Sequence, residues 1–152
     1  MTETIPKLEI TATVVIIHEN KTLLHLHKQL GVWMPIGGHV EENEPLHEAA
    51  HREVMEEAGI EIEIWQQAPL LNWERSVQVP CPFLSLFHTR LTDRRIHDNY
   101  FIAFPKSLRL RASDGESTTF RWVTADDLRA EINIWPDVRT ICLNALELVQ
   151  RE

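Results

Sequence analysis

Three glutamates, Glu53, Glu56 and Glu57, stand at i, i+3 and i+4 in the stretch HREVMEEAGI, residues 51–60. On a helix these positions are neighbours, and like charges so spaced repel by roughly 0.2–0.5 kcal/mol per pair. The formal net charge is already −8, so the crowding calls for a cation bound between carboxylates or for solvent around each of them. A helical wheel at about 100° per residue puts Leu46, Ala49, Ala50 and Val54 on the inward stripe. Glu53 and Glu57 project within that apolar sector, whereas solvated charges belong on the opposite side. Inward carboxylates carry a large desolvation penalty unless they are paired or bound to metal. Glu56 lies at the margin and has a plainer alternative. Glu48, Arg52 and Glu56 form an i, i+4, i+8 row, an ordinary salt-bridge ladder on a wet helix face. Arg52 either joins that ladder or holds one of the inward glutamates. A donor set made of carboxylates favours a hard cation, Mg²⁺ or Mn²⁺, over zinc. Gly37-Gly38 lets the backbone approach a ligand closely and offers a carbonyl as one more oxygen donor.

The elements that must position these residues are legible from patterning. Residues 45–58 contain no helix breaker after Pro45 and end at Gly59, which predicts a helix with proline in its first turn and glycine as its C-terminal cap. EITATVVIIHEN followed by KTLLHLHKQ predicts a β-hairpin turning at Glu19-Asn20-Lys21. VWMPIGG, with a proline and two glycines, breaks regular structure. β-type segments are expected around residues 62–73, 83–91 and 96–104, and TFRWV, residues 119–123, reads as a last short strand. Thr124 is placed to cap a short helix. In PDVRTICLNALELVQ, Val138, Ile141, Cys142, Ala145, Leu146 and Val149 share one helical face. Strands before and after two separated helices predict an α/β layered domain with a mixed sheet.

Composition narrows the setting. At 152 residues, with 43% apolar and 25% charged residues, the chain is expected to form one globular domain over 1–152. The N-terminal residues lack the pattern of a signal peptide, and the longest alanine-free apolar run, VVII, is far short of a membrane span; a cytoplasmic protein is expected. Cys81 and Cys142 form neither a metal spacing nor a disulfide framework. The acidic balance argues against stable nucleic-acid binding, which needs Lys and Arg to neutralise phosphates. Anionic substrates would need local positive charge, which a bound metal supplies.

The segment GHVEENEPLHEAAHREVMEEAGI, residues 38–60, resembles the Nudix box: Gly, five residues, Glu, seven residues, then Arg-Glu-hydrophobic-any-Glu-Glu-any-Gly-hydrophobic. Gly38, Glu44, Arg52, Glu53, Val54, Glu56, Glu57, Gly59 and Ile60 occupy its fixed positions. The resemblance implies a Nudix-like α/β/α sandwich with a mixed β-sheet and hydrolysis of a nucleoside diphosphate linked to another moiety. It implies Glu53, Glu56 and Glu57 as ligands of Mg²⁺ or Mn²⁺, with a carbonyl from Gly38 or Gly37. Arg52 would orient a glutamate, Glu44 would brace the loop at the helix start, and Glu53 or Glu57 would serve the chemistry. Many members dimerise, so a homodimer is compatible with it. One departure is that Ile36 separates Pro35 from Gly37, where many members have Pro-Gly-Gly; this bears on which glycine carbonyl ligates.

Some members recruit a further acidic residue from outside the box. SDGESTTFRWV offers Asp114 and Glu116, and RIHDNYF offers His97 and Asp98; Glu116 is the favoured candidate. His39, beside the glycine pair, and Trp33, ahead of it, are candidate substrate contacts, for phosphate and base respectively. His25 and His27 share a strand face and are expected on a partly exposed sheet surface; His88 and His97 either face the site or are structural, and the structural reading is favoured. The alternative to hydrolysis is a non-catalytic Nudix module that senses a nucleotide. Isoprenoid diphosphate isomerase chemistry, also known on this fold, would need a suitably placed cysteine. The substrate is expected to be a small nucleotide: a nucleoside triphosphate, a nucleotide sugar or an ADP-ribose type compound.

Overall fold

Strands β1 (Leu8–His18) and β2 (Lys21–Leu26) form the expected hairpin. Its two loop residues, Glu19 and Asn20, have φ of 47° and 60°, the left-handed pair that matches the twist of a two-residue hairpin. The computed structural model describes residues 4–89, 93–113, 115, 119–130 and 133–151.

Around β1 the sheet is mixed. It runs parallel to β7 (Arg95–Pro105), from Leu8 opposite Arg95 to Ile16 opposite Ala103. It runs antiparallel to β4 (Ile36–His39), with Thr13 opposite Gly37 and Ala12 opposite Gly38. β2 is flanked by β3 (Trp33–Met34) and β8 (Phe120–Thr124), and β7 by β5 (Ile62–Ile64) and β6 (Leu84–Phe87). Two expectations change here. VWMPIGG is not irregular: it supplies β3 and β4, because β1 offers β4 a complete antiparallel edge. The strand expected over 62–73 stops at Ile64 because one edge of β7 is shared, residues 103–105 pairing with β5 and residues 97–100 with β6.

Alternation on the central strands separates two apolar layers. Ala12, Val14 and Ile16 of β1 and Phe101 and Ala103 of β7 pack against Ala49, Ala50, Val54 and Ala58. Those last four lie on α1 (Leu46–Ala58). On the other face, Val15, Ile17, Tyr100 and Ile102 meet Val138, Ile141, Cys142, Ala145 and Leu146 of α3 (Pro136–Gln150). Helix, mixed sheet and helix thus form an α/β/α sandwich. The short α2 (Ala125–Arg129) starts in a capping box in which Thr124 Oγ1 accepts the Asp127 N–H and Asp127 accepts the Thr124 N–H. Among the described residues no helix is long and apolar enough to cross a membrane.

The ends of α1 are set as the sequence predicts, with one shift. Pro45 is the extended cap residue and not the first helical one, while Gly59 ends the helix at φ 66° with its N–H donating to Met55 O at 3.0 Å. A side chain at Gly59 would both adopt that left-handed conformation and place its Cβ 2.4 Å from Arg111 O.

Candidate active site

The inward and outward sectors of α1 hold in the structure. Glu53 is buried with Ala49, Ala50 and Val54, the Glu57 side chain keeps 14% of its exposure, and Glu56 is open to solvent. Gly38, on the facing strand β4, makes room for Glu53. A Cβ there would lie 2.3 Å from the Glu53 Oε1 and 2.6 Å from its Oε2. The Gly37 N–H donates to Glu57 Oε2 at 3.3 Å. The two adjacent glycines therefore pack the β4 backbone directly on two carboxylates one helical turn apart.

Arg52 ties this arrangement to the loop that enters α1. Its Nε and Nη2 donate to the two oxygens of Glu44 at 2.7 and 3.0 Å, a bidentate pair. Nη1 donates to Glu53 at 2.9 Å and to Glu56 at 3.2 Å, and Nη2 also reaches the His39 carbonyl at 2.9 Å. Glu44 further accepts the Glu41 N–H at 2.9 Å. The Arg52 guanidinium holds the Glu44 carboxyl below the usual carboxylate range. Hydrogen bonding to Glu44 and Glu53 in turn raises the Arg52 pKa. Arg52 holds the inward Glu53 and, of the Glu48-Arg52-Glu56 ladder, pairs with Glu56, but its strongest partner is Glu44.

Whether these residues suit a metal rests on donor chemistry. Glu53, Glu56 and Glu57 offer hard carboxylate oxygens beside the carbonyl-bearing Gly37-Gly38 backbone, a set suited to Mg²⁺ or Mn²⁺. Among the described residues no three His, Cys, Asp or Glu side chains already converge as a metal cage.

Glu57 and the glycine pair lie on the wall of a cleft of about 650 Å³. The cleft lies over the α3-facing side of β1 and β7, with Thr11, Thr13, Asp98 and Tyr100 on its floor and Met34 and Trp135 on its walls. His39 also lines it; its Nε2 lies 2.8 Å from Glu9 Oε1, while Arg94 grips both Glu9 oxygens at 2.8 Å. Arg94 first, then His39, depress the Glu9 carboxyl to about 2. Trp33 packs at the edge of the α3-side core, and the aromatic wall that faces the cleft is Trp135. Glu116 and Asp114 lie outside the described residues. The acidic residue from RIHDNYF that faces the cleft is Asp98.

Sequence reading did not single out Thr11, Thr13 or Trp135. The signal for the first two was present in EITATVV, where threonines two apart interrupt an apolar strand and so share a face. Cys142 is buried in the α3 core, where burial pushes its thiol up to about 12, and Cys81 is exposed in the loop before β6. Neither lines the cleft, as isomerase chemistry would require.

His25 corrects an expectation. It is only 7% exposed, where a partly exposed sheet surface was expected; among the described residues its Nδ1 has no hydrogen-bond partner, and its Nε2 lies 4.0 Å from Glu57. Burial, followed by the charge of His27, holds its pKa below the ordinary 6.5. The unfolded chain takes up this proton near pH 6.5 while the folded chain resists it, so stability is full above that value. It falls as pH drops from there through the folded pKa. Urea melts of wild type and His25→Gln from pH 7.5 to 5.5 are expected to show a shallower decline in the variant. Parallel declines would remove His25 as the cause.

Comparison with known proteins bears on this geometry. A sequence model of the NUDIX domain matches residues 7–142. A NUDIX-family hydrolase from Clostridium perfringens superposes with a TM-score of 0.80 at 27% identity, over 92% of this chain and 97% of its own. A MutT NUDIX hydrolase from Burkholderia pseudomallei gives 0.67 at 23% identity, over 94% and 98%. An ADP-ribose pyrophosphatase from Streptococcus suis gives 0.63 at 14% identity, over 95% and 92%. At those identities the latter two share the fold alone. Comparison with curated proteins yields no match.

Proposed function

Because the chain belongs to the NUDIX family, we propose that it is a metal-dependent pyrophosphohydrolase cutting a diphosphate linkage in a nucleoside diphosphate derivative. A nucleoside triphosphate, a nucleotide sugar and an ADP-ribose type compound all fit that class. The observation that carries the proposal is the contact of Glu53 and Glu57 with the Gly37-Gly38 strand at the edge of the cleft. Carboxylates this poorly solvated are costly unless matched by positive charge, and a substrate diphosphate raises the same need.

Glu53, Glu56 and Glu57, with a carbonyl of Gly38 or Gly37, would hold Mg²⁺ or Mn²⁺. A bound divalent cation supplies neutralisation of the diphosphate and activation of water. The remaining work belongs to the chain. Arg52 orients Glu53 and, through Glu44 and the His39 carbonyl, fixes the loop to the helix. Glu53, dry and pinned beside Gly38, is the better-placed base, with Glu57 aimed at the cleft wall. Phosphoryl transfer depends mainly on positioning and charge stabilisation, which suits a site built on a rigid helix and strand. Glu116, ahead of β8 in the sequence, remains the candidate for an extra acidic group. His39 serves the phosphates only by leaving Glu9. The nucleobase is offered Trp135 on the cleft wall, while Trp33 packs at the edge of the α3-side core.

The test is a panel of nucleoside triphosphates, nucleotide sugars and ADP-ribose, incubated with Mg²⁺ or Mn²⁺ and resolved by product analysis. Release of a nucleotide by cleavage within the diphosphate is expected for at least one class. Tight nucleotide binding with no cleavage in the presence of metal would favour the sensing module instead.

A further inference from the structure

The floor of the cleft carries a second poorly solvated carboxylate, which the proposed phosphate chemistry does not use. In the parallel register of β1 and β7, Thr11 faces Asp98 and Thr13 faces Tyr100, so all four side chains stand on one side of the sheet. Thr11 Oγ1 and Thr13 Oγ1 both donate to Asp98 Oδ1, at 2.8 and 2.9 Å. Asp98 is 9% exposed, and among the described residues it has no cationic partner. The Tyr100 hydroxyl lies beside the same carboxylate, and burial together with that charge raises the phenol pKa.

A carboxylate offers about four lone-pair sites. The two threonines fill those of Oδ1 and the Tyr100 hydroxyl takes one more site on the carboxylate, so about one accepting site is left in a cleft large enough for a ligand. With the phosphates assigned to the glutamates of α1, the floor is left for the other end of the substrate. The walls there include Trp135, 42% exposed, together with Met34, Ile96 and Val138. Such surfaces suit a flat ring with apolar faces, and the carboxylate suits an N–H at that ring's edge. We propose that Asp98 is a specificity residue that accepts a hydrogen bond from the exocyclic amino group of a nucleobase. Bases with a keto oxygen at the same position would set lone pairs against the carboxylate and be disfavoured. This inference rests on the reading of the cleft as a nucleotide site.

The experiment is calorimetric binding of nucleoside monophosphates in chelator, which needs neither metal nor turnover. Three pairs differ at an amino group: cytidine against uridine, adenosine against inosine, and guanosine against inosine monophosphate. The amino member is expected to bind about 10- to 100-fold more tightly in at least one pair. Asp98→Asn is expected to collapse that ratio, and Thr13→Val, which loosens the carboxylate without removing it, to reduce it partway if the first variant folds poorly. Equal binding within every pair, no binding at all, or a ratio unchanged in both variants overturns the inference. Where a substrate is cleaved, the ratio of kcat/KM within a pair must collapse likewise. An equal loss on both members would assign Asp98 to the chemistry instead. Discriminating binding without hydrolysis would sink the proposed activity and leave Asp98 as the reader of the base. Hydrolysis without discrimination would do the reverse.

Discussion

Glu57→Gln is expected to lower kcat by about 10²–10⁴-fold while leaving the thermal transition close to wild type. The substitution keeps size and shape and removes only the charge of a side chain whose Oε2 accepts the Gly37 N–H at the cleft wall. Glu53→Gln should match or exceed that loss, since Glu53 is both the drier group and the one against which Gly38 packs. Glu56, solvent-exposed and bound to Arg52 at 3.2 Å, should show the smallest effect of the three. Steady-state rates at saturating Mg²⁺ distinguish the cases. Full metal-dependent turnover in Glu57→Gln would show that the carboxylates of this helix are not the working groups.

Arg52→Ala should carry the largest cost in stability. It leaves Glu44 and Glu53, with side chains only 13% and 11% exposed, without the guanidinium that serves both. Breaking a buried pair by removing one partner costs about 3–5 kcal/mol; Arg52 is itself 24% exposed, so roughly 2–3 kcal/mol is expected. For a chain of this length that corresponds to a fall in Tm on the order of 4–12 °C. Arg52→Lys keeps a charge but loses the planar fork that meets Glu44 bidentately and should recover only part of it. Because Arg52 depresses the Glu44 pKa, its contribution is present above the ordinary carboxylate pKa of about 4.3. It fades as pH falls through the lower folded value. Wild type and Arg52→Ala should therefore converge in stability at acid pH. A difference that stays constant from pH 7 to 3 would mean the effect is packing and not charge.

The helix and its charges were legible because their information is local. A period of 3.6 sorts Glu53 and Glu57 from Glu56, and Gly59 marks the end without reference to anything distant. The bidentate pairing of Arg52 with Glu44 was not legible, since the resemblance gives Arg52 a glutamate to orient and Glu44 a loop to brace without joining the two. On the helix alone, Glu48 is as good a partner, and the loop geometry that favours Glu44 is set by Glu41 and His39. β3 and β4 were missed for a different reason. Proline and glycine read as breaks in VWMPIGG, yet β1 supplies an antiparallel edge on which Gly37 and Gly38 are strand residues that also admit the carboxylates. The cleft floor is less legible still. Thr11 and Thr13 are joined to Asp98 across sequence separations of 87 and 85 residues, by a parallel register that no local pattern encodes. His25 is buried for a related reason, since β3 and β8 cover β2 from both sides.

The most direct measurement is Mn²⁺ binding followed by electron paramagnetic resonance, comparing wild type with a Glu53→Gln, Glu56→Gln, Glu57→Gln triple variant shown by circular dichroism to be folded. Saturable loss of the free-ion signal in wild type is expected, with affinity at least about tenfold weaker in the triple variant. Equal Mn²⁺ affinity in the two proteins would contradict a metal centre on these three glutamates.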